Sequence, residues 1–275
     1  MNGPSTPARS YLFVPGDRPE RLDKALASGA DRVVLDLEDA VAPAAKDAAR
    51  AEVARALTER PEADRARLVV RINDASTTAF AADLAMLAAT GAAAVMLPKA
   101  ERTETLAQLR AACTGAALLP LVESARGVLA AEALAATLGV ERLVFGTLDF
   151  SLDLDLSGDP VGLDHAASRL ALASRAAGIT SPVAGVTPEI TDDERLRADL
   201  ARARAHGFGA KLCIHPRQVA VLHAALRPSE AELDWARRVI AAMQGAAGAV
   251  QVDGRMVDRP VLQRAQALLA RAAAH

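Results

Sequence analysis

Aromatic residues are scarce in this chain of 275 residues, and its charge is nearly balanced. Phenylalanine, tryptophan and tyrosine together make up 3% of the sequence, which leaves little material for the stacking platforms of single-strand nucleic-acid binders. The formal net charge is −2, so the strongly basic surface that a phosphate backbone requires is also missing. Nucleic acid is therefore not expected as a partner.

Long apolar runs and paired cysteines are missing as well. No apolar run approaches the roughly 18 residues that a membrane-spanning helix needs. The opening segment, MNGPSTPARS, is polar and has no apolar core of the kind found in signal peptides. Cys113 and Cys213 lie far apart in apolar contexts, as expected for reduced, buried thiols. We therefore expect a cytoplasmic protein with no membrane partner.

The chain does have a repeated unit, in which a short apolar run precedes an alanine-rich helical stretch. Eight such units are predicted, with strands near residues 11–14, 32–37, 67–72, 93–97, 116–121, 142–146, 179–184 and 209–214. Continuous apolar runs such as AVMLP are typical of parallel strands buried on both faces. The alternative is an open doubly wound sheet, but the first strand precedes VPGDRPER and not a G-x-G-x-x-G turn. The repeat favours an α/β protein, a TIM (β/α)8 barrel over residues 1–228.

More chain follows the eighth unit. Two further helices are predicted over residues 229–245 and 260–274, and Ser229 and Glu232 have the spacing of a capping box. The stretch between the helices, GAAGAVQVDGRMVDRP, is rich in small residues. We predict a C-terminal helical extension over residues 229–275, with a flexible lid or arm at about residues 246–259.

Two acids follow neighbouring strands of the predicted barrel. Glu123 comes directly after LLPLV, and Asp149 comes after LVFGTL. Because the carboxyl ends of barrel strands form the face that carries active sites, the two carboxylates can converge there. Oxygen ligands with no histidine or cysteine nearby suit Mg²⁺, which keeps water or substrate oxygens in its shell. The sequence therefore predicts a magnesium site at Glu123 and Asp149.

Basic residues lie at the same predicted face. Arg71 ends the third strand, where a guanidinium can neutralise a developing enolate or bind a carboxylate with two hydrogen bonds. The alternative for Arg71 is a structural ion pair with Glu38 or Asp39. These two acids are predicted to hold metal-bound waters or to orient Arg71, with helix capping as the alternative for Asp39.

Other polar residues near this face allow more than one interpretation. The basic residues around the first helix, Arg18, Arg21 and Lys24, either meet a phosphorylated ligand or form a solvated helix face. Lys99 either supports the acids or faces a phosphate. His215 is predicted to cap or pack rather than to catalyse.

The segment RSYLFVPGDRPERLDKALASGADRVVLDLEDAV resembles the opening of the citrate lyase β-subunit-like proteins. The resemblance continues through VRIND, VMLPKAE, LVESARGV, FGTLDFSLDL, GFGAKLCIHPRQV and VDGRMVDRPVLQRA, almost to the end of the chain. This family of phosphoenolpyruvate/pyruvate-type barrels includes malyl-CoA and citramalyl-CoA lyases. The resemblance implies Mg²⁺ on Glu123 and Asp149, a substrate-binding Arg71, and reversible carbon–carbon cleavage of a 3-hydroxyacyl-CoA thioester that carries a second carboxylate. The products would be an acyl-CoA such as acetyl-CoA and an oxo acid such as glyoxylate or pyruvate.

The same resemblance implies further roles. Asp258 would act as an acid/base in the site of a neighbouring subunit, and the protein would be a homotrimer or a dimer of trimers. The amino-terminal region would bind the CoA substrate through Phe13, Pro15, Gly16, Arg18 and Lys24. Asp155 replaces a glycine that is usual in the family, so the loop after the sixth strand is expected to differ. Three alternatives remain: a pyruvate-dependent class II metal aldolase, a citrate lyase β subunit acting on an acyl-carrier protein, and a barrel that binds without turnover.

Overall fold

The computed structural model describes residues 7–244 and 248–273. The chain forms two compact units, Pro7–Leu222 and a unit that begins at His223. The boundary thus lies within the last helix of the predicted barrel rather than after residue 228. No helix in the described ranges is both long enough and apolar enough to cross a bilayer.

The first unit is a barrel of eight parallel strands, closed by pairing of the first strand with the last. The predicted TIM barrel is therefore confirmed. Its strands are β1 (Ser10–Pro15), β2 (Arg32–Asp36), β3 (Leu68–Arg71), β4 (Ala94–Leu97), β5 (Ala117–Val122), β6 (Val144–Phe145), β7 (Val183–Ala184) and β8 (Ala210–Cys213).

Helices follow each of these strands, as alternating strand and helix patterns predict. They are α1 (Leu22–Ala27), α2 (Lys46–Glu59), α3 (Glu62–Arg65), α4 (Ala79–Thr90), α5 (Thr103–Ala112), α6 (Ala125–Leu129), α7 (Ala131–Ala135), α8 (Thr147–Asp153), α9 (Asp164–Ala176), α10 (Asp193–Ala205) and α11 (Pro216–Leu226). Short 3-10 turns cover Pro19–Arg21, Pro43–Ala45 and Pro160–Leu163. The helical stretch after β5 consists of two short helices, α6 and α7.

The barrel interior is filled by alternate strand residues. Val34, Val69, Met96, Leu121 and Leu212 belong to one buried cluster, to which every strand contributes. Burying such a side chain fully contributes about 1.5–3 kcal/mol relative to leaving it in water. Because the interior is packed solid, the carboxyl ends of the strands are left to carry the chemistry.

Strands β6 and β7 are shorter than the predicted ranges 142–146 and 179–184. Arg142 is almost fully buried beside them, and its guanidinium donates to the carbonyl oxygens of Ser181 (2.8 Å) and Ala8 (2.6 Å). A buried side chain therefore satisfies two backbone carbonyl groups beside these short strands, which periodicity alone does not predict.

The second unit contains α12 (Glu230–Met243), the strands β9 (Val250–Val252) and β10 (Arg255–Val257), and α13 (Arg259–Ala273). The predicted capping box is present, with Ser229 and Glu232 each accepting a backbone N–H of the other. β9 and β10 form an antiparallel hairpin whose Val252 and Val257 are buried against the two helices. Within the segment predicted as a flexible lid or arm, residues 250–257 thus form a hairpin, while residues 245–247 lie outside the described residues.

Candidate active site

A cleft of about 800 Å³ opens at the carboxyl ends of the barrel strands. It is bordered by predicted site residues that come from the strands and from the loops and helices that follow them, namely Phe13, Pro15, Lys24, Asp39, Arg71, Glu123 and Asp149. Arg21 and His215 line it as well. The structure thus brings together, in one unit, most of the positions that the sequence singled out.

Arg71 is fixed in this cleft by Asp36. Its Nε donates to Asp36 Oδ1 at 2.7 Å and its Nη2 donates to Asp36 Oδ2 at 2.6 Å, a two-pronged pair that sets the plane of the guanidinium. Asp36 is 1% exposed and also accepts the backbone N–H groups of Glu38 and Ala40. The Arg71 partner that matters most, Asp36, was not among the residues predicted from sequence.

Two more acids and one ring surround the same guanidinium. Arg71 Nη1 lies 2.9 Å from Glu38 Oε2 and 3.7 Å from Asp39 Oδ2, so the predicted ion pair with these acids exists beside the pair with Asp36. The guanidinium carbon lies 4.9 Å from the centre of the Phe13 ring, a cation–π distance. Burial by itself lowers the pKa of Arg71, but the hydrogen bonds and charge of Asp36 outweigh it and raise the pKa. The residue therefore stays charged.

Glu38 is held in a buried position behind the cleft. Burial raises the pKa of Glu38 to about 7, against the opposing effect of Arg71 and with help from the charges on Asp39 and Asp36. Its Oε2 forms an ion pair but no hydrogen bond. Lys46 fixes the backbone here by donating to the carbonyl oxygens of Leu37 (2.6 Å) and Glu38 (2.5 Å). The loop after β2 is thus held by side chains at both of its ends.

Glu123 and Asp149, the predicted metal ligands, both line the cleft. Glu123 follows β5 and is 4% exposed, and its Oε1 accepts the Lys99 backbone N–H at 2.7 Å. Lys99 adopts a left-handed backbone conformation, with φ of 45°, to point its N–H there. Asp149 is exposed and lies in the first turn of α8, not at the end of a strand as predicted.

The donor set fits a magnesium ion. Burial, together with the charges of Glu38 and Asp149, raises the pKa of Glu123 to about 8 against the lowering effect of the Lys99 N–H, and a bound cation would favour the ionised carboxylate. A Cβ at position 146 would lie 2.5 Å from Glu123 Oε2, so Gly146 keeps that oxygen uncovered. In the part of the chain that the structure describes, no group of three or more metal-binding side chains exists. Two carboxylates with the remaining positions open suit Mg²⁺.

The predicted CoA-binding residues divide between two cavities. Lys24 and Pro15 border the cleft, whereas Gly16 and Arg18 border a neighbouring cavity of about 300 Å³, which Pro15 also lines. Gly16 packs tightly, because its N–H donates to the Asp36 carbonyl oxygen at 2.7 Å and a Cβ would meet that oxygen at 2.8 Å. A structural role for Gly16 is therefore visible, and Arg18 lies exposed.

Asp258 belongs to the second compact unit. It precedes α13, and its Oδ1 accepts the Val261 backbone N–H at 3.3 Å, a contact typical of a helix N-cap. His215, in the barrel unit, accepts the Arg217 N–H on its Nδ1 at the start of α11 while its ring also lines the cleft.

Comparison with known proteins decides the family. A model of the HpcH/HpaI aldolase/citrate lyase family matches residues 9–216, and a model described as a carbon–carbon bond lyase of the TIM-barrel fold matches residues 169–275. The chain belongs to the HpcH/HpaI aldolase/citrate lyase family. As predicted, it is an enzyme, a carbon–carbon lyase of the citrate lyase β-like type.

Individual relatives cover nearly the whole chain. A citrate lyase subunit beta-like protein of Mycobacterium tuberculosis is 42% identical over 95% of this chain and 94% of its own length. A (3S)-malyl-CoA thioesterase of Cereibacter sphaeroides is 35% identical over 98% and 95%, respectively. The crystal structure of CitE from M. tuberculosis, in complex with magnesium, acetoacetate and coenzyme A, has a TM-score of 0.87 at 40% identity and covers 97% of this chain and 98% of that one. The predicted cofactor, Mg²⁺, is confirmed by this family, since further CitE structures also hold magnesium.

Proposed function

We propose that this family member cleaves, or forms, a 3-hydroxyacyl-CoA thioester that carries a second carboxylate. The products are an acyl-CoA such as acetyl-CoA and an oxo acid such as glyoxylate or pyruvate. The observation that carries the proposal is Arg71, a buried guanidinium fixed by Asp36 in a cleft that also holds the acids Glu123 and Asp149. The coenzyme A in the related CitE structure supports the thioester.

The chemistry assigned to Arg71 follows from its setting. When a base takes the hydroxyl proton, the carbon–carbon bond breaks, its electrons pass to the α-carbon of the thioester, and the hydroxyl carbon becomes the carbonyl of the oxo acid. Negative charge then develops on the thioester oxygen, and a guanidinium that is already oriented stabilises it without reorganising. Glu38 and Asp39 orient the guanidinium from its remaining side. Mg²⁺ held by Glu123 and Asp149 supplies a Lewis acid that makes the hydroxyl more acidic.

Protonation of the resulting enolate carbon is assigned to Asp258. This assignment rests on the family resemblance, in which the residue enters the site of a neighbouring copy. We therefore propose a homotrimer, or a dimer of trimers, as the active form. In the second unit of this chain, Asp258 caps α13, so any catalytic use of its carboxyl is additional to that contact.

A mass-spectrometric panel tests the proposed reaction. Purified protein with Mg²⁺ is mixed in turn with malyl-CoA, β-methylmalyl-CoA, citramalyl-CoA and citryl-CoA, and each reaction is repeated with EDTA. Appearance of a shorter acyl-CoA together with an oxo acid, abolished by EDTA, is the expected result. If no thioester is cleaved but pyruvate condenses with an aldehyde in the absence of CoA, the protein is a metal aldolase instead. Turnover only on an acyl-carrier-protein thioester would make it a citrate lyase β subunit.

One relative favours a second candidate, thioester hydrolysis. The C. sphaeroides protein, 35% identical over almost the whole chain, is a (3S)-malyl-CoA thioesterase. The same panel separates the two activities if free thiol is measured with a chromogenic disulfide. Release of CoA thiol and intact malate indicates hydrolysis, whereas release of glyoxylate without thiol indicates carbon–carbon cleavage.

A further inference from the structure

Another cavity of about 300 Å³, distinct from the one that Gly16 and Arg18 border, lies in the barrel unit beside the active-site cleft. Its walls come from α8, α9, α10 and the segment that follows β7, and Thr147, Leu148 and Val186 line both this cavity and the cleft. None of the residues assigned to the reaction lines this cavity. Its volume lies at the lower end of the range found for small-molecule sites, so it suits a small ligand.

A buried lysine forms part of the wall of this cavity. Lys211 lies on β8 between Ala210 and Leu212, which face the barrel core, so its own side chain points outward to the helix layer. It is 2% exposed, and its Nζ donates to the Gly185 carbonyl oxygen at 2.6 Å. Among the described residues it forms no ion pair. An ammonium has three donors, so two of them remain for another acceptor.

The acids of the wall are already matched by other cations. Asp164 accepts two hydrogen bonds from Arg202, at 2.9 and 2.7 Å, and lies 2.8 Å from His206 Nε2. Asp199 pairs with Arg195 at 3.0 Å and accepts the Thr187 hydroxyl at 2.7 Å.

Two further acids, Asp159 and Glu189, lie at the exposed rim of the cavity. Lys211 is then the cation in the depth of the cavity that has no carboxylate in ion-pair contact among the described residues, although the charge of Asp199 acts on it. A buried ammonium without an ion-pair partner is costly, which favours a bound anion beside it.

Much of the remaining wall is apolar. Phe145, Leu163, Ala167 and Phe208 line the cavity together with Leu156, and Phe145 and Phe208 are among the buried core residues. The arginines of the wall, Arg195 and Arg202, are engaged by Asp199 and Asp164, so an anion with many hydrogen-bonding oxygens, such as a phosphate, would compete with these ion pairs for donors. A carboxylate with a short apolar body matches both the lysine and the apolar wall.

We propose that this cavity is a second ligand site, which binds a small monocarboxylate with its carboxylate on Lys211 and its apolar body against the phenylalanine-lined wall. The site is separate from the magnesium cleft and from the thioester reaction. Binding there does not depend on Mg²⁺, on Arg71 or on turnover.

The test is a titration of the full-length protein with hexanoate labelled with ¹³C at the carboxyl carbon, followed by NMR. Wild type should show saturable binding, and uncharged hexanamide should bind far more weakly. Lys211→Gln, which retains a hydrogen-bond donor without the charge, should weaken hexanoate binding by at least about tenfold, since it removes one partner of a buried charge pair. Lys211→Met should do the same if its fold is retained, which circular dichroism checks.

Arg71→Met is the matched control, because Arg71 is the buried cation of the other cavity. It should leave hexanoate affinity unchanged. The proposal is overturned if Arg71→Met abolishes binding while Lys211→Gln retains it, if hexanamide binds as well as hexanoate, or if the wild-type protein binds no hexanoate at millimolar concentration.

Discussion

Arg71 keeps its positive charge although its side chain is largely buried, because acidic neighbours surround the guanidinium. Its neighbour along the sheet, Asp36, is paired with it in strand register, so their backbones are adjacent and their side chains meet at the mouth of the barrel. The two carboxylate oxygens of Asp36 accept hydrogen bonds from the guanidinium and from two backbone N–H groups, while the Phe13 ring lies over the face of the guanidinium. The Nη1 edge of the guanidinium, which Asp36 does not contact, faces Glu38 and Asp39, and in the proposed reaction it also meets the substrate.

Removal of the Asp36 carboxylate should therefore harm both stability and catalysis. Asp36→Ala removes the two-pronged partner of Arg71 and leaves only Glu38 and Asp39 beside a largely buried charge, so the free energy of unfolding should fall by about 3 kcal/mol. Asp36→Asn keeps the volume and one acceptor, so the fold should survive while kcat drops by about two orders of magnitude with the guanidinium misdirected. Urea unfolding and acyl-CoA cleavage assays check these outcomes.

Asp47→Asn is the control for Asp36, because that carboxylate pairs with Arg50 on the exposed side of α2. It should change the stability by less than about 1 kcal/mol. Equal loss of activity in Asp36→Asn and Asp47→Asn would contradict the positioning of Arg71 by Asp36.

Lys211 should leave a signature in the pH dependence of stability. Burial lowers its pKa to about 8, from an ordinary value of 10.5, although Asp199 and Cys213 act to raise it and Arg195 lowers it a little further. Between pH 8 and 10.5 the unfolded chain holds a proton that the folded chain has released, so rising pH favours the folded state. The unfolding free energy of wild type relative to Lys211→Met should grow by roughly 1–3 kcal/mol between pH 7.5 and pH 10. A difference that stays constant or shrinks in urea titrations at the two pH values would refute this.

At the scale of elements, the strand–helix repeat predicted the barrel, because parallel strands that are buried on both faces have continuous apolar sequences. It also correctly placed Arg71 at the end of β3 and Glu123 directly after β5. What it missed are contacts that depend on the folded neighbours. Asp36 lies inside an apolar run, and nothing in the sequence indicates that it pairs with Arg71. Asp149 follows an apolar run and was therefore predicted at a strand end, although α8 begins two residues before it.

The hairpin β9–β10 was missed although its signal is present in the sequence. VQVDGRMV has alternating apolar positions around Asp253 and Gly254, a pair typical of a two-residue hairpin turn. Both residues have positive φ, 50° and 75°. The small residues before the hairpin suggested flexibility and obscured this turn.

The turn predicts a local test of the second unit. Gly254→Val places a β-branched residue at a φ of 75°, which should destabilise the hairpin by about 1–2 kcal/mol and expose Val252 and Val257. Gly248→Ala is the matched control, because position 248 has open space around it and no positive φ in the structure. Thermal unfolding should show a lower midpoint for Gly254→Val only. Equal midpoints for the two variants would argue against the strained turn.

At the scale of the whole molecule, the proposed reaction needs residues from both compact units, Arg71 from one and Asp258 from the other. If Asp258 serves the barrel of a neighbouring copy, two inactive variants can repair each other in a mixed oligomer. We expect Arg71→Ala and Asp258→Asn each to be inactive alone. Co-expressed in equal amounts, they should recover about one quarter of wild-type turnover, because half of the barrels retain Arg71 and half of those meet an intact Asp258 in a closed ring.

The matched control combines two variants whose substitutions both lie in the barrel unit. Arg71→Ala co-expressed with Glu123→Gln should recover no activity, because every barrel then lacks one of its own groups whichever copy supplies Asp258. Steady-state cleavage by the purified mixed oligomers, with composition checked by mass spectrometry, distinguishes the cases. Failure of Arg71→Ala and Asp258→Asn to repair each other, despite mixed assembly, would mean that Asp258 acts within its own chain or not at all. Repair in both mixtures would instead point to contamination by wild-type enzyme, since two defects in one barrel cannot be complemented through a shared arm.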